Sequence, residues 1–225
     1  MRRVNKPELL DSDACPPAEA QKSLSDLSAI NRRFGGVSTT RRLIERVGAT
    51  TGEKSFSLLE VAAGFGEVPR LIAEQLTSKG IQLNASLLDL KLSHLLPGNS
   101  SIVADALALP FSDNTFDLVH CNLFAHHLQP DELMRFVRES FRVSRCAVLI
   151  NDLVRHPMHL ALVYACFPLM RSPISRHDGV ASVRRSYVPS EMRRMIALAF
   201  NDDSPPRVEI LRHFLFRMGV IVWKN

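Results

Sequence analysis

Residues 58–67 read LLEVAAGFGE, a hydrophobic run that meets an acid at Glu60 and then breaks into small residues with glycines at 64 and 66. Glycine adopts backbone angles closed to other residues and has no side chain to hold a ligand at a distance. The stretch therefore reads as a strand, FSLLEV (56–61), running into a turn that can lay main chain against a bound molecule. The next stretch, VPRLIAEQLTSKG (68–80), is a helix with Pro69 in its first turn and Gly80 past its end.

The alternation continues outward from this unit. IQLNASLLDL (81–90) is a second strand, KLSHLLPG (91–98) a short helix or turn, SIVAD (101–105) a third strand and FDLVHCN (116–122) a fourth. DELMRFVRESFRVS (131–144) is a helix with Leu133, Phe136, Val137 and Phe141 three and four apart, and RCAVLIND (145–152) is a fifth strand. EMRRMIALAF (191–200) is a helix, and RVEILRHFLFRMGVIVWK (207–224) is two strands broken near Arg212 and His213. Two helices, over 23–34 and 38–49, precede the first strand. Apolar strands alternating with helices predict an α/β fold: a Rossmann-like, mostly parallel seven-stranded sheet with an antiparallel C-terminal hairpin and helices on both faces.

No linker, repeat or composition shift divides the 225 residues, so 23–225 reads as one domain. Residues 1–22 are expected to be a mobile leader, because Lys6 to Lys22 is rich in Pro, Asp, Glu and Ala without a clear period. A hydrophobic share of 46% and a charged share of 23% suit a soluble globular protein. No apolar run reaches the roughly 18 residues of a spanning helix, and MRRVNKPELL lacks a signal-peptide core. Cys15, Cys121, Cys146 and Cys166 are far apart and show no metal-ligand spacing, so a reduced cytoplasm and no metal are expected. The net charge of +5 comes with paired arginines, yet no aromatics are interleaved to stack bases. Nucleic acid is therefore disfavoured as a partner, while peripheral association with an anionic membrane stays open. Oligomeric state is not readable.

In an open α/β sheet, ligands bind beyond the carboxyl ends of the strands. A dinucleotide turn needs a third small residue, but Pro69 stands there and Glu67 would face the pyrophosphate. No Lys-Ser or Lys-Thr follows the glycines to make a P-loop. The acids favour a ligand with positive charge and no phosphate. Glu60 ends the first strand, Asp89 ends the second, where it is placed for both hydroxyls of a ribose, and Asp105 ends the third, where with Ala106 it can face an adenine amino group.

EVAAGFGE, with LLDL, ADALALPFSDNTFDLVHCN and the HHL at His126 to Leu128, resembles the class I S-adenosylmethionine-dependent methyltransferases, in particular the ubiquinone/menaquinone-biosynthesis group. The resemblance covers about 57–152. It implies S-adenosylmethionine as cofactor, with Glu60, Ala62, Gly64 and Gly66 around its methionine part. It further implies Asp89 and Leu90 at the ribose, Asp105 and Ala106 near the adenine, and Asn122 just past the fourth strand. Two departures carry expectations. Ala63 replaces a glycine, at a cost of about 1 kcal/mol if the position is left-handed, and Phe65 is bulky enough to narrow the loop.

Methyl transfer is a displacement at a carbon activated by positive sulfur, so positioning is the protein's main task. A base matters only where the acceptor must lose a proton. The candidates are His126, His127 and Asp152, then His156, His177 and Asp178. One histidine of the pair could instead pack at the start of the helix after Asp131, with the other in solvent. Asp152 could cap a helix that starts near His156.

MHLALVYACFPLM (158–170) is apolar nearly all round, so it should be buried or line a greasy pocket. RSPISRHDGVASVRRSY (171–187) has helix breakers and basic residues and reads as a lid-like loop, completing an insertion over 153–188. A core helix with a plain loop is the simpler alternative. An apolar wall under a basic lid would suit a small aromatic, quinol or polyketide-type acceptor, methylated on oxygen or carbon. Methylation of RNA or protein is a competing function, although the fourth strand leads into NLFA rather than an NPPY-type motif. A non-catalytic binding protein is another.

Overall fold

The computed structural model describes residues 1–10, 16–92, 95, 101–200, 205–213 and 215–224. Two helices open the chain, α1 (Pro17–Arg33) and α2 (Gly36–Thr51). Strand β1 (Ser55–Val61), helix α3 (Glu67–Thr77), strand β2 (Gln82–Asp89) and strand β3 (Ser101–Val103) come after them. Next are β4 (Phe116–Asn122), α4 (Pro130–Val143), β5 (Ser144–Leu153), α5 (Pro157–Ala165), α6 (Pro173–Arg185) and α7 (Pro189–Ala199). Strands β6 (Val208–His213) and β7 (Arg217–Trp223) close the sheet. Most of the segment 91–98, read as a short helix or turn, lies outside the described residues, as does Cys15.

The seven strands run in the order β3-β2-β1-β4-β5-β7-β6, the first five parallel and β7 antiparallel to both β5 and β6. This is the fold the sequence predicts. The run of apolar residues in each central strand fills two layers. Leu58, Leu118, Leu149 and Ile221 meet Leu43, Ile44 and Val47 of α2 and Ile72 and Leu76 of α3. On the other face Leu59, Val61, Val119, Val148 and Val220 meet Leu133 and Phe136 of α4 and Met192 and Ile196 of α7.

Three features of the structure differ from the sequence reading. Residues 1–10, within the expected leader, are hydrogen-bonded to the body: Val4 N–H donates to the Arg184 carbonyl at 3.0 Å and Arg3 Nε to that of Arg185 at 2.6 Å. Pro17 at the start of α1 also moves the first helix upstream of Ser23, since proline suits a first helical turn. The expected loop 171–187 is mostly helix α6. Ser172 Oγ caps it by accepting from Ile174 N–H at 3.2 Å, and Pro173 starts it. Its buried face mixes Ile174, Ala181 and Val183 with Ser175, Asp178 and Arg185, so an apolar period never shows in the sequence.

The third difference is α5, which turns His159 and Val163 to a pocket, as one of the two expectations had it, but otherwise lays its apolar residues at the surface. His159 is its buried residue, whereas Met158, Leu162 and Tyr164 are exposed, as is Leu169 in the 3-10 turn after it. The helix start is capped by His156, whose ring accepts from Met158 N–H at 3.1 Å, and Asp152 takes no part in it.

Candidate functional site

The parallel strands end beneath a cavity of about 490 Å³, within the usual range of small-molecule sites. Its floor is the turn after β1 and the ends of β2 and β4, with Ala62, Gly64, Asp89, Leu90, Asp105, Ala106, Leu123 and Phe124. Leu24, Leu27 and Ile30 of α1 form one wall. His159 and Val163 of α5, Met170, and Gly179 and Val183 of α6 form another. Glu8 and Leu10 close over it from the N-terminal segment, with His126 and His127 below them.

The turn after β1 owes its shape to positive φ at Ala62 (54°), Gly64 (52°) and Gly66 (65°). The expected penalty at Ala63 is therefore misplaced, because the left-handed alanine is its neighbour Ala62. Ala63 instead ties the turn to β2 by donating its N–H to the Leu88 carbonyl at 3.0 Å. Phe65 is 39% exposed and is no part of the cavity wall, so it does not narrow the site. Gly64 lines the cavity, and a Cβ built there would meet nothing within 4 Å. That leaves bare main chain facing the space a ligand would fill. Gly66 serves packing: a Cβ there would run into Leu87 Cδ1.

Asp89 is buried at the cavity edge and accepts from Gly64 N–H at 3.0 Å and Lys91 N–H at 3.1 Å. Asp105 is exposed and holds its own loop by accepting from Leu107 N–H at 2.8 Å. Asp89 and Asp105 at this end of a mainly apolar pocket, beside an open glycine backbone, fit a nucleoside with hydroxyls and a cationic sulfonium tail.

Four of the expected site residues lie away from the cavity wall. Glu60 sits on the α2 side of the sheet, 2.5 Å from His120 Nδ1, and His120 Nε2 is 3.0 Å from Thr40 Oγ1. Asn122 is drawn to the same side, donating to Asn31 Oδ1 at 3.2 Å and accepting from Arg217 Nη1 at 3.1 Å. Gly66 is turned to β2. Asp152 lies under His126, fully enclosed.

Alternation along β1 decides where Glu60 goes. Leu59 and Val61 face the α4 layer, so Glu60 must face the α2 layer. There it joins a buried polar group with His120, Thr40, Asn151, Asn122, Asn31 and Arg217. The Arg217 guanidinium donates to the Phe34 carbonyl at 2.9 Å and to the side-chain oxygens of Asn31, Asn122 and Asn151 at 3.1–3.3 Å. Burial lowers its pKa to about 10, against a smaller opposing pull from Asp152.

His126 and His127 come into place because a 3-10 turn, Ala125–His127, precedes α4, whose start is fixed by Gln129 N–H donating to Glu132 at 2.7 Å. His126 Nδ1 lies 2.7 Å from Asp152 Oδ1, its Nε2 3.2 Å from Glu8 Oε1, and its amide donates to Asp152 Oδ2 at 2.8 Å. Burial alone would lower the His126 pKa, but the carboxylates of Asp152 and Glu8 outweigh it and push it up to about 9. Burial would likewise raise Glu8, yet its bonds to His126 and Ser182 bring it down to about 2. His126 thus carries a proton at neutral pH and has both ring nitrogens occupied, which is unlike a free base. His127 is more open, with 21% of its side chain exposed and Nε2 3.5 Å from Glu8.

Sequence reasoning missed Glu8, which sits in the stretch read as a leader, and the α1 wall. The signal for the wall was present in the spacing of Leu24, Leu27 and Ile30. Asp178, a candidate base on sequence grounds, instead anchors the N-terminal segment by accepting from Leu9 N–H at 2.8 Å and Leu10 N–H at 3.0 Å. Arg185 is buried and donates to the His127 carbonyl at 2.8 Å.

Residues 59–147 match the family model described as a methyltransferase domain. No curated protein matches the chain. Among solved structures, the plantazolicin methyltransferase BpumL in complex with a triazolic desmethylPZN analog and SAH aligns with a TM-score of 0.70 at 13% identity, covering 96% of this chain and 93% of its own. The plantazolicin methyltransferase BamL aligns with a TM-score of 0.68 at 11% identity, covering 93% and 92%. A SAM-dependent methyltransferase from Aquifex aeolicus gives 0.53 at 16% identity, covering 80% and 88%. At these identities the solved structures establish the fold.

Proposed function

We propose that this class I S-adenosylmethionine-dependent methyltransferase acts on oxygen or carbon of a small acceptor with an apolar, aromatic or quinol-like body. The observation that carries the reading is one continuous cavity. One end has Gly64, Asp89, Leu90, Asp105 and Ala106, and the other has Leu27, Val163, Met170 and Val183 over the histidine pair. The cofactor supplies an activated methyl group, and the chain's residues bind, orient and exclude water around it.

Asp89 would take the ribose hydroxyls, Asp105 and Ala106 would flank the adenine, and Gly64 would lie along the methionine part. The acceptor's proton-bearing group would meet His127 and Glu8, with His126 and Asp152 holding those two in place. Some support for a bulky acceptor comes from BpumL, which was solved with azole-bearing desmethylPZN analogs.

The exposed apolar face of α5 and the turn after it sits directly outside the cavity wall, and the exposed Arg171 and Arg176 adjoin it. An anionic lipid surface would satisfy both the apolar face and the arginines. Such a surface would deliver an apolar acceptor at the cavity wall.

The deciding experiment is calorimetric titration of the full chain with S-adenosylmethionine and S-adenosylhomocysteine, with NAD as control, then methyl-transfer assays on phenols and quinols. Micromolar binding of the sulfur nucleosides alone, with transfer to at least one phenol or quinol, is the expected result. Binding without transfer to any acceptor would overturn the acceptor class. No binding would remove the cofactor assignment for this site.

A further inference from the structure

The geometry points to a divalent transition-metal site formed by Glu8, His126 and His127 at the acceptor end of the cavity. His126 Nε2 and His127 Nε2 lie 3.2 and 3.5 Å from the same oxygen, Glu8 Oε1, and the three ligand atoms all fall within 4.8 Å of one another. Ligands about 2.05 Å from a tetrahedral zinc ion are spaced about 3.3 Å apart. The two edges that meet at Glu8 are therefore already close to the edge length of a coordination tetrahedron. Two imidazoles and one carboxylate are a recurrent ligand set for zinc with positions left open.

The surrounding shell is built as such sites require. A ligating histidine is oriented when its other ring nitrogen is held by a carboxylate. Here Asp152 Oδ1 sits 2.7 Å from His126 Nδ1, and Asp152 is itself fixed by the amides of His126 and Leu153. Ser182 Oγ donates to Glu8 Oε1 at 2.8 Å, which sets the carboxylate's direction. Two guanidinium groups adjoin the cluster: Arg185 Nη1 is 4.0 Å from Glu8 with its Nη2 donating to the His127 carbonyl, and Arg3 Nη2 donates to the His126 carbonyl at 3.3 Å. The 3.2 Å contact between His126 Nε2 and Glu8 Oε1 already brings the same two atoms together.

Three protein ligands leave a position facing the cavity, where an oxygen of the acceptor can bind. An ion held there would lower the pKa of a bound hydroxyl so that it releases its proton to solvent water, and it would thereby do the work otherwise asked of a base. That use rests on the methyltransferase reading, whereas the binding of the ion does not. The sequence offers no hint of the site, because Glu8 stands 118 residues before His126.

The test is a Co²⁺ titration of the metal-stripped, untagged full chain, monitored by visible absorption, with Zn²⁺ as competitor. One equivalent is expected to bind with the intense bands of four- or five-coordinate cobalt and no thiolate charge transfer. Zn²⁺ should displace it. Glu8→Gln and His127→Ala should each weaken Co²⁺ at least about tenfold, and His127→Ala, the more exposed of the two positions, should melt as the parent does. Absence of such bands, thiolate charge transfer, or bands that persist unchanged in both variants would overturn the site. Titration with S-adenosylhomocysteine is the separate readout: cobalt bound by the triad without nucleoside binding would sink the methyltransferase reading and leave the metal site standing.

Discussion

The amide of Gly64 donates to the Asp89 carboxylate at 3.0 Å, so the turn after β1 and the end of β2 move as one piece. The acid that would face a ribose also sets the shape of the glycine turn beside it. Asp89→Ala loses both roles, and cofactor affinity should fall by about tenfold to a hundredfold, the equivalent of about 1.5–3 kcal/mol for a charged hydrogen bond. Asp89→Asn keeps an oxygen for Gly64 and should lose less. Calorimetry with S-adenosylhomocysteine on both variants checks the order, and equal losses would mean that the charge of the carboxylate, and not its bond to the turn, carries the effect.

His127 faces the cavity, while Gly64, Asp89 and Asp105, the residues proposed to hold the cofactor, come from other elements. His127→Ala should therefore cut turnover by about 10²-fold or more, the usual scale for a group acting on a proton. The affinity for S-adenosylhomocysteine should stay within about twofold. Steady-state rates beside calorimetry separate the two, and full turnover in the variant would reduce His127 to packing.

Gly66 and Ala63 should respond in a way the sequence alone would not suggest. Gly66→Ala drives a methyl into Leu87 Cδ1 at a positive φ, and it should destabilise the fold by about 1–3 kcal/mol. Ala63→Gly, which restores the residue usual in similar turns, should lower stability by about 0.4–1 kcal/mol, because Ala63 is not left-handed and glycine only frees the unfolded chain. Urea unfolding midpoints measure both, and a gain for Ala63→Gly would contradict the backbone conformation at that residue.

Glu191 accepts from Arg155 at 2.6 and 3.1 Å and from Val188 N–H at 3.0 Å at the start of α7. Burial would raise its pKa, but these bonds outweigh it and hold the carboxyl below its usual 4.5. A lowered folded pKa means a contribution that is present above 4.5 and lost as the pH falls through the lower folded value. Glu191→Gln should flatten the acid limb of a Tm-against-pH curve as the pH falls below the ordinary carboxyl value of 4.5. An unchanged acid limb would assign the loss to other carboxylates.

Leu162 and Leu169 stand out from the α5 face, the latter 76% exposed. The double variant Leu162→Ser, Leu169→Ser should reduce co-sedimentation with vesicles containing anionic lipid, with little change in Tm. Equal sedimentation of variant and parent, or no sedimentation of the parent, would remove lipid as the partner of this face.

The sheet was legible because its strands are short apolar runs separated by helices with proline starts and glycine ends, all of which are local signals. The turn after β1 was legible for the same reason, along with Asp89 and Asp105, whose places follow from strand ends. Side-chain direction was less so. Glu60 and Asn122 sit at strand ends yet face the α2 layer, which depends on pleat parity and on what the other strands bury. Helix α6 hid because its inward face is filled by Ser175, Asp178 and Arg185, each bonded to a group far away in the chain. Glu8 could not be found, since its meaning comes wholly from His126, and α5 misled because an apolar helix need not be covered.

The polar group behind the sheet bears on how reliably the chain reaches its fold. Arg217 opens β7 and reaches Asn31, Asn122 and Asn151, which belong to α1, β4 and β5. Slipping β7 by one residue would swing its guanidinium into the layer of Leu59, Val61 and Met192, at a cost of several kcal/mol for a stranded charge. Val220, Ile221 and Val222 would tolerate that slip, whereas Gly219, where a Cβ would lie 2.9 Å from Leu43 Cδ2, resists it on the same face as the arginine. The arginine thus proofreads the assembly of the sheet, rejecting misthreaded hairpins that the valines and isoleucine alone would accept.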